Sequence, residues 1–335
     1  MNITDIATMA GVSPATVSNA LNGRKGVREE TKQKILKIAK EFGYNKEMNM
    51  ANGQRTIRFV IYKKHGVVVS DTPFFASLIE GIENECRNQG YELLISHVYH
   101  ECEDIVSLLE SDYSQGLIVL ATEMAFEDLL PFRDINMPVV LLDSHFRGAD
   151  FDCILINNMD ASYKATKYLV QNGHREIGYL HSSVYINNFH YRKLGFWDAL
   201  HEADLEFNPD FDFALNPTIE GSYRDMKAIL EQRAPKLPTA FFADNDLIAF
   251  GAMRALQDHG VKIPQDVSVI GFDDMPFCEI ASPRLTTIRV FKQEIGGAAV
   301  RRLLQKIENS KETITQKIEV NTELIIRESV SKPPS

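Results

Sequence analysis

Long hydrophobic segments and paired cysteines are both missing from this 335-residue sequence. No run approaches the ~18 apolar residues that a membrane-spanning helix requires. The start, MNITDIATMA, has neither the basic leader nor the apolar core of a secretion signal. The four cysteines have no paired spacing, which is typical of reduced thiols rather than of a disulfide framework. We therefore expect a cytoplasmic protein that does not interact with a membrane.

Motifs of the common enzyme classes are also missing. The sequence has no Gly-rich phosphate loop, no HExxH and no nucleophile elbow. Asp273 and Asp274 are adjacent carboxylates, but neighbours on a strand point to opposite faces, which argues against shared acid/base catalysis. A metal cluster of His97, His100 and Cys102 is an alternative to buried structural cysteine, but its ligand spacing is a weak signal. We expect no enzymatic activity, no cofactor and no metal.

The net charge of −10 suits a nucleic-acid-binding protein only when it is divided along the chain. Residues 1–58 hold ten Lys/Arg and five Asp/Glu, whereas residues 59–335 hold 26 and 41. This asymmetry is typical of a basic DNA-binding unit joined to an acidic body. Attraction to DNA phosphates would then act locally.

Three helical signals follow one another in the first forty-odd residues. Thr4 is expected to cap the first helix, Gly11 to supply a turn, and Ser13 to cap a second helix that has Pro14 at its first position. Gly43 can end the third helix in a left-handed cap. Apolar residues recur on one face of each helix: Ile6, Ala7 and Ala10, then Val17 and Leu21, then Ile35, Ile38, Ala39 and Phe42. This pattern predicts a helix-turn-helix domain.

Beyond a polar linker at Tyr44–Thr56, short apolar runs alternate with helical segments. The predicted strands are Ile57–Tyr62, Tyr91–Val98, Gly116–Ala121, Val139–Asp143, Ile177–His181, Ala240–Ala243 and Val267–Phe272. The predicted helices include Phe75–Gln89, Asp160–Asn172, Tyr191–Ala203 and Leu247–His259. Continuous apolar strands separated by helices predict parallel sheet covered on both faces. The length of this region favours two α/β lobes.

Several stretches resemble the lactose/galactose repressor (LacI/GalR) family of bacterial transcriptional regulators. The N-terminal ones are TDIATMAGVSPATVSNALNG and VREETKQKILKIAKEFGY. Those of the body are PFFASLIEGIENECRNQGYELLI, NGHREIGYL, RKLGFWDALHEADL, PTAFFADNDLIAFGAMRAL and VSVIGFDD followed by SPRLTTIR. The resemblance covers nearly the whole chain. It implies an all-α helix-turn-helix domain and an α/β sensor of two parallel-sheet lobes like a type I periplasmic sugar-binding protein, with three crossovers between the lobes and a ligand in the cleft.

The resemblance also implies an organisation and a function. We expect a DNA-binding domain at 1–46, a linker or hinge at 47–56, and a sensing and dimerisation domain at 57–335. The first lobe would span about 57–155 and 289–315, and the second about 156–288 and 316–330. A homodimer would bind a pseudo-palindromic operator and repress carbohydrate-utilisation genes under the control of a saccharide. A phosphorylated sugar, a nucleoside and a partner-protein corepressor remain alternatives, as do induction and corepression.

The second helix is the expected recognition helix. Ala15 or Thr16 could touch a thymine methyl, and Asn19 can pair with adenine through two hydrogen bonds. Ser18 and Asn22 suit phosphate contacts, which position the protein without specifying sequence. Thr4 and Ser13 complete the expected contacts of this domain. In the family the linker inserts an apolar residue into the minor groove, a role open here to Met48 or Met50, although the usual proline and alanine-arginine stretch is missing and a flexible tether is equally compatible.

The family's ligand positions can be carried over one by one. The resemblance implies that sugar hydroxyls are bound by Asp143 in VVLLD, Arg192 in YRKLGF, Asn245 in ADND and Asp273 in GFDD. It places two aromatic residues in the lining of the pocket: Phe74, after Pro73, and Tyr223, in EGSY. Polar groups beside ring faces suit a polyol or sugar.

Overall fold

The computed structural model describes residues 3–21, 27–41, 55–69, 72–102, 104–109, 114–233, 236–309 and 312–333. The expectations for Asn22, Met48, Met50 and most of the linker therefore lie outside the described residues, as do those for Phe42 and Gly43. Within the described ranges, no helix is both long and apolar enough to cross a membrane.

The N-terminal domain consists of α1 (Ile3–Ala10), α2 (Pro14–Leu21) and α3 (Glu29–Glu41). Each helix contacts the other two. Their predicted inward faces are confirmed, because the shared core contains Ile6, Ala7, Ala10, Val17, Ala20, Ile35 and Ala39, with Leu21 and Ile38 packed against it. Burying a side chain of this size stabilises a fold by about 1.5–3 kcal/mol.

The turn between α1 and α2 follows the predicted chemistry. Gly11 has a φ of 72°, a conformation in which a side chain would be strained. The Ser13 Oγ accepts a hydrogen bond from the backbone N–H of Thr16 at 3.1 Å, which is the predicted cap of α2. Lys34 Nζ donates to the carbonyl of Ala10 at 2.8 Å, so α3 supplies a cation to the C-terminal end of α1. The cap expected at Thr4 is not formed, because α1 already begins at Ile3.

The remaining elements, in chain order, alternate between strands and helices. They are β1 (Arg55–Lys63), α4 (Pro73–Asn88), β2 (Tyr91–Tyr99), α5 (Ile105–Leu109), β3 (Leu117–Leu120), α6 (Leu130–Arg133), β4 (Val139–Leu142), β5 (Asp152–Ile156), α7 (Asn158–Gln171), β6 (Ile177–Ser182), α8 (Asn187–Glu202), β7 (Asp212–Leu215), α9 (Ile219–Arg233), β8 (Ala240–Ala243), α10 (Asp246–Asp258), β9 (Ser268–Asp273), β10 (Thr286–Arg289), α11 (Lys292–Glu308), β11 (Lys317–Val320) and β12 (Glu323–Ile325).

These elements build two lobes, each around one sheet. The first sheet has the order β11-β5-β4-β3-β1-β2 and is parallel throughout. The second has the order β12-β10-β9-β8-β6-β7, in which β12 alone is antiparallel to its neighbour. Central strands such as β3 and β8 are buried at every position, which explains their continuous apolar sequences. The predicted two-lobed α/β fold is confirmed.

Helix α11 returns the chain to the first lobe, where it packs against α4. Their approach is close enough that a Cβ at Gly81 would lie 2.2 Å from the Gln293 carbonyl oxygen, and one at Gly296 would lie 2.5 Å from the Leu78 carbonyl oxygen. Glycine is required at both positions because the neighbouring atoms belong to the backbone.

Three crossovers join the lobes: between β5 and α7, between β10 and α11, and between β11 and β12. The expectation that residues 316–330 lie wholly in the second lobe is wrong for β11. This strand pairs with β5 in the first sheet, with Ile318 opposite Ile154. The final crossover therefore follows Val320, where the Asn157 amide donates to Asn321 Oδ1 at 2.9 Å.

Candidate functional site

Five of the six predicted ligand-binding residues line one cavity between the lobes, which we call the cleft cavity. They are Phe74, Asp143, Arg192, Asn245 and Asp273. Asp143 and Asn245 follow β4 and β8, and Asp273 ends β9. The carboxyl ends of parallel strands are where ligands bind in open α/β sheets. Phe74 and Asp143 come from the first lobe, and the other three from the second.

Arg192 is 3% exposed, and its guanidinium is held in place by the protein. Its Nε donates to Asn158 Oδ1 at 2.8 Å, and its Nη1 donates to the carbonyl of Asp244. The guanidinium stacks on the Phe272 ring, 3.6 Å from its centroid. The Nη2 atom lies 3.6 Å from Asp273 Oδ1, an ion pair too long for a hydrogen bond. The cation is therefore fixed beside the cavity without neutralising Asp273 directly.

Asp143 contributes one engaged and one unengaged carboxylate oxygen. Its Oδ2 accepts a hydrogen bond from Thr122 Oγ1 at 2.6 Å. Its Oδ1 is buried and has no hydrogen-bond partner. Burial raises the pKa of Asp143 to about 6, against the opposing effects of the Thr122 hydrogen bond and the Arg192 charge. An unpaired buried acceptor is costly, so this oxygen suits a ligand that donates a hydrogen bond.

Asp273 has the same property in the second lobe. Its Oδ1 is buried without a hydrogen-bond partner. Burial raises its pKa, while Arg192 and Lys292 act in the opposite direction. Its φ of 113° and that of Asp143, 69°, are both in the left-handed region, a strain of about 1–3 kcal/mol each that clusters at functional sites. Each strand end is thus turned so that a carboxylate lines the cavity.

The neighbouring Asp274 points elsewhere, as expected for adjacent strand residues. Its two oxygens accept hydrogen bonds from Arg327 Nη2 and Arg289 Nε, both at 2.7 Å. The two carboxylates therefore form no acid/base pair. Among the described residues, no group of three His, Cys, Asp or Glu side chains is placed to hold a metal ion.

Asn245 has a second task, because its Oδ1 accepts the Ile248 N–H at 2.9 Å and so caps α10. Its amide nitrogen is the group left to donate to a ligand. Tyr223 does not line the cleft cavity, so this expectation is wrong. Its hydroxyl donates to Asp258 at 2.9 Å, and its ring lies under Arg254. Position along α9 carries Tyr223 away from the cleft.

Sequence reasoning missed several lining residues. Thr122 follows β3 at the same sheet edge as Asp143, so its position after an apolar run was a usable signal. Asn188 and Phe189 precede Arg192 on α8 by four and three residues, which places all three on one helix face. The other lining residues missed are Val68, Thr72, Phe75, Ile186, Pro217, Leu247 and Met275. These come from loops and helix starts that have no periodic pattern.

The cleft cavity is nearly closed in this structure, with a volume of about 40 Å³. Small-molecule sites measure roughly 300–1,000 Å³. Hydrogen bonds across the lobes accompany this closure, because Asn187 Nδ2 donates to Ser144 Oγ and to the His145 carbonyl, each at 3.0 Å. A ligand of sugar or base size therefore requires the lobes to separate or their side chains to rearrange.

In the N-terminal domain, α2 presents the predicted recognition surface. Val17 and Ala20 are buried against the other helices. Ala15, Thr16 and Asn19 are each partly exposed, and Ser13 is exposed. The Ser13 Oγ also lies 2.9 Å from Thr16 Oγ1. The expected base-contacting and phosphate-contacting side chains thus lie away from the core of the domain.

Comparison with known proteins agrees with both halves of the molecule. Residues 2–47 match the model of bacterial regulatory proteins of the lacI family, and residues 166–330 match a periplasmic binding protein-like domain. The HTH-type transcriptional repressor PurR of Mannheimia succiniciproducens is 35% identical over 338 residues, with 98% of each chain covered. The chain belongs to the lacI family of bacterial regulatory proteins. This family is not enzymatic, and the chain is a DNA-binding transcriptional regulator.

Solved structures of lacI-family proteins share the fold. The lac repressor dimer bound to operator and the anti-inducer ONPF has a TM-score of 0.73 at 21% identity, over 99% of each chain. A lacI-family regulator from Enterococcus faecium with bound ribose has a TM-score of 0.70 at 26% identity, over 83% of this chain and 99% of that one. The first likeness supports the arrangement of the domains, and the second supports the sensor fold.

Proposed function

We propose that this lacI-family regulator is a sequence-specific repressor whose affinity for its operator is set by a small molecule in the cleft cavity. The observation that carries the proposal is the pair of unpartnered oxygens of Asp143 and Asp273, one from each lobe, beside the fixed cation of Arg192. A ligand that bonds to both lobes binds their arrangements unequally. Only such differential binding can shift a conformational equilibrium.

The proposed effector is a small neutral molecule with at least two hydrogen-bond donors. Two carboxylate oxygens require donors, and Phe74 and Phe189 supply apolar ring surface. Adjacent sugar hydroxyls meet this requirement, which keeps a saccharide, and with it carbohydrate-utilisation genes, as the first candidate. The ribose in the Enterococcus faecium regulator agrees with it.

A nucleobase is the second candidate, because a planar ring with N–H donors would also satisfy the carboxylates and stack on the aromatic side chains. The relatives named PurR are repressors, which supports repression here. Whether the effector promotes or releases DNA binding follows from which lobe arrangement favours the operator.

The proposed DNA complex is a homodimer on a pseudo-palindromic operator, with α2 of each protomer in the major groove. Asn19 would read adenine and Ala15 or Thr16 a thymine methyl. Thr4, Ser13, Ser18 and Asn22 would contact phosphates, and Met48 or Met50 would enter the minor groove. The exposed side chains of Leu94, Ile95 and Tyr99 on the edge strand β2 suit burial against a second copy.

The deciding experiment measures operator binding and effector binding on the same protein. The full chain is titrated into DNA from upstream of its own gene, in a gel shift, with and without a panel of monosaccharides and nucleobases. We expect one class to change the operator affinity, and the same class to bind by calorimetry. Asp273→Asn should remove the response while operator binding without ligand stays unchanged. Operator binding that no panel member alters, together with no calorimetric binding, contradicts the proposed effector site.

A further inference from the structure

A second cavity lies between the lobes, and it shares no lining residue with the cleft cavity. Its volume is about 720 Å³, within the roughly 300–1,000 Å³ typical of small-molecule sites. We call it the rim cavity and define it by Phe126, His145, Arg147, Tyr185, His190 and Tyr191. None of these residues belongs to the site proposed above.

Both lobes build the rim cavity. The segments after β3 and β4 supply Phe126 and Arg147, and the segment after β6 supplies Tyr185. Tyr191 of α8 stacks on His145 with ring centroids 5.1 Å apart, and its hydroxyl lies 3.2 Å from His145 Nε2. The cavity therefore depends on the present lobe arrangement, and a ligand that fills it would favour that arrangement.

Aromatic rings from both lobes remain open to solvent at this cavity. Phe126 of the first lobe is 41% exposed, and Tyr185 of the second is 71% exposed. The rings of His190 and Tyr191 lie 5.5 Å apart on the same wall. Ring faces left uncovered on two sides of a cavity suit a planar ligand that stacks between them.

The charges of the cavity are unequally committed. Glu123 accepts hydrogen bonds from the backbone N–H groups of residues 64–66, 68 and 69, and Lys64 Nζ lies 2.9 Å from Asp128. Arg147, by contrast, is exposed, and within the described ranges it forms no ion pair. Glu127, the other carboxylate of the wall, is exposed to solvent. Arg147 and Lys317 both act to lower the pKa of His145, which marks a positive potential there.

We infer that the rim cavity is a second small-molecule site, which binds a planar aromatic anion of about mononucleotide size. Its ring stacks on the exposed aromatic side chains, and Arg147 binds its anionic group. A nucleoside monophosphate and an aromatic carboxylate share this chemistry. Because both lobes contact the ligand, its binding is coupled to that of an effector in the cleft cavity, and the coupling is reciprocal.

The test is calorimetric titration of the full chain with adenosine monophosphate, guanosine monophosphate, 4-hydroxybenzoate, adenosine and inorganic phosphate. We expect at least one aromatic anion to bind, and neither adenosine nor phosphate alone to match it. Arg147→Ala and Tyr185→Ala should each weaken binding by about tenfold or more. Both residues are exposed, so thermal unfolding of the variants should follow the wild-type curve. Binding of the nucleotides or of the carboxylate alone identifies which source the site prefers.

Asp273→Asn is the matched control, because it alters the cleft cavity and leaves the rim cavity intact. We expect this variant to bind the aromatic anion as the wild type does. The inference is overturned if no aromatic anion binds, if Arg147→Ala binds as tightly as the wild type, or if binding is lost in Asp273→Asn. Equal affinity for adenosine and its monophosphate would also overturn it. Failure of the cleft effector would instead appear in the separate titrations with monosaccharides and nucleobases.

Discussion

The Nη2 atom of Arg192 and the Oδ1 atom of Asp273 lie 3.6 Å apart in the cleft cavity, close enough to attract each other but not to form a hydrogen bond. Arg192 is held instead by Asn158 and by the carbonyl of Asp244. The carboxylate oxygen that faces the cation is thereby left without a hydrogen-bond partner. This separation keeps both groups available to a ligand at the edge of the second sheet.

Asp273→Asn is expected to weaken effector binding by about tenfold to a hundredfold, because a hydrogen bond to a charged group contributes about 1.5–3 kcal/mol. Operator affinity without effector should stay unchanged, since Asp273 lies outside the N-terminal domain. Calorimetry and gel shift measure the two quantities. Asp258→Asn, an exposed carboxylate on α10 outside the cleft cavity, is the control and should behave as the wild type. Equal effector affinity in both variants contradicts the role of Asp273.

The stability of the chain should depend on Asp143 in a defined pH window. Its pKa is raised to about 6 in the folded state from an ordinary value of 3.8, so folding favours the protonated form. The resulting stabilisation is complete below pH 3.8 and is lost as the pH rises through about 6. Asp143→Asn removes this dependence. Its free energy of unfolding should therefore gain on the wild type between pH 4 and 7, by up to about 3 kcal/mol.

Urea denaturation at intervals across that window measures the difference. Asp244 and Asp246 also have raised pKa values, about 6 and about 7, and they remain in both proteins. The difference between variant and wild type thus isolates Asp143. Parallel profiles for the two proteins would show that Asp143 does not titrate in this range.

Asn19→Arg should change the base preferred at one position of each operator half-site. Asparagine matches the N6/N7 edge of adenine, whereas arginine matches O6/N7 of guanine. We expect an A·T pair for the wild type and a G·C pair for the variant, with discrimination of about 1–3 kcal/mol. Selection from randomised half-sites compares the two proteins. If Asn19 instead contacts phosphate, the substitution weakens all sequences alike, and identical base preferences would refute the base contact.

Ile95→Lys should weaken the proposed homodimer. Ile95 is 41% exposed on the edge strand β2, where a buried charge would oppose association. The dimer dissociation constant, measured by analytical ultracentrifugation, should rise by about tenfold or more. Ile314→Lys is the matched control, because Ile314 is 69% exposed beside β11, at the opposite edge of the same sheet. Equal dissociation constants for the two variants would exclude this face of β2 from the interface.

The strongest periodic signals predicted the fold well. The seven apolar runs correspond to β1, β2, β3, β4, β6, β8 and β9. The strands that were missed include β7 (DFAL), β10 (TTIR) and β11 (KIEV), whose sequences are short or partly polar. Such strands form because a neighbouring strand supplies hydrogen bonds, as β5 does for β11, and a sequence pattern does not contain that partner.

The candidate site divides in the same way. Asp143 and Asp273 could be predicted because each ends an apolar run within a family motif, and both face the cleft cavity. Tyr223 could not be placed correctly, because its direction depends on how α9 packs against α10. The rim cavity had no sequence signal at all, since its walls come from segments more than fifty residues apart.

The sequence by itself determined the family, the helix-turn-helix domain, the α/β alternation and the positions of the cleft carboxylates, because these depend on local periodicity, capping and motifs. Only the tertiary structure decided which carboxylate oxygens lack partners, how far the cleft is closed, and which sheet receives β11. These features arise from contacts between distant segments. Asn187 on Ser144 and Arg192 on Asp273 form only once both lobes have folded and met.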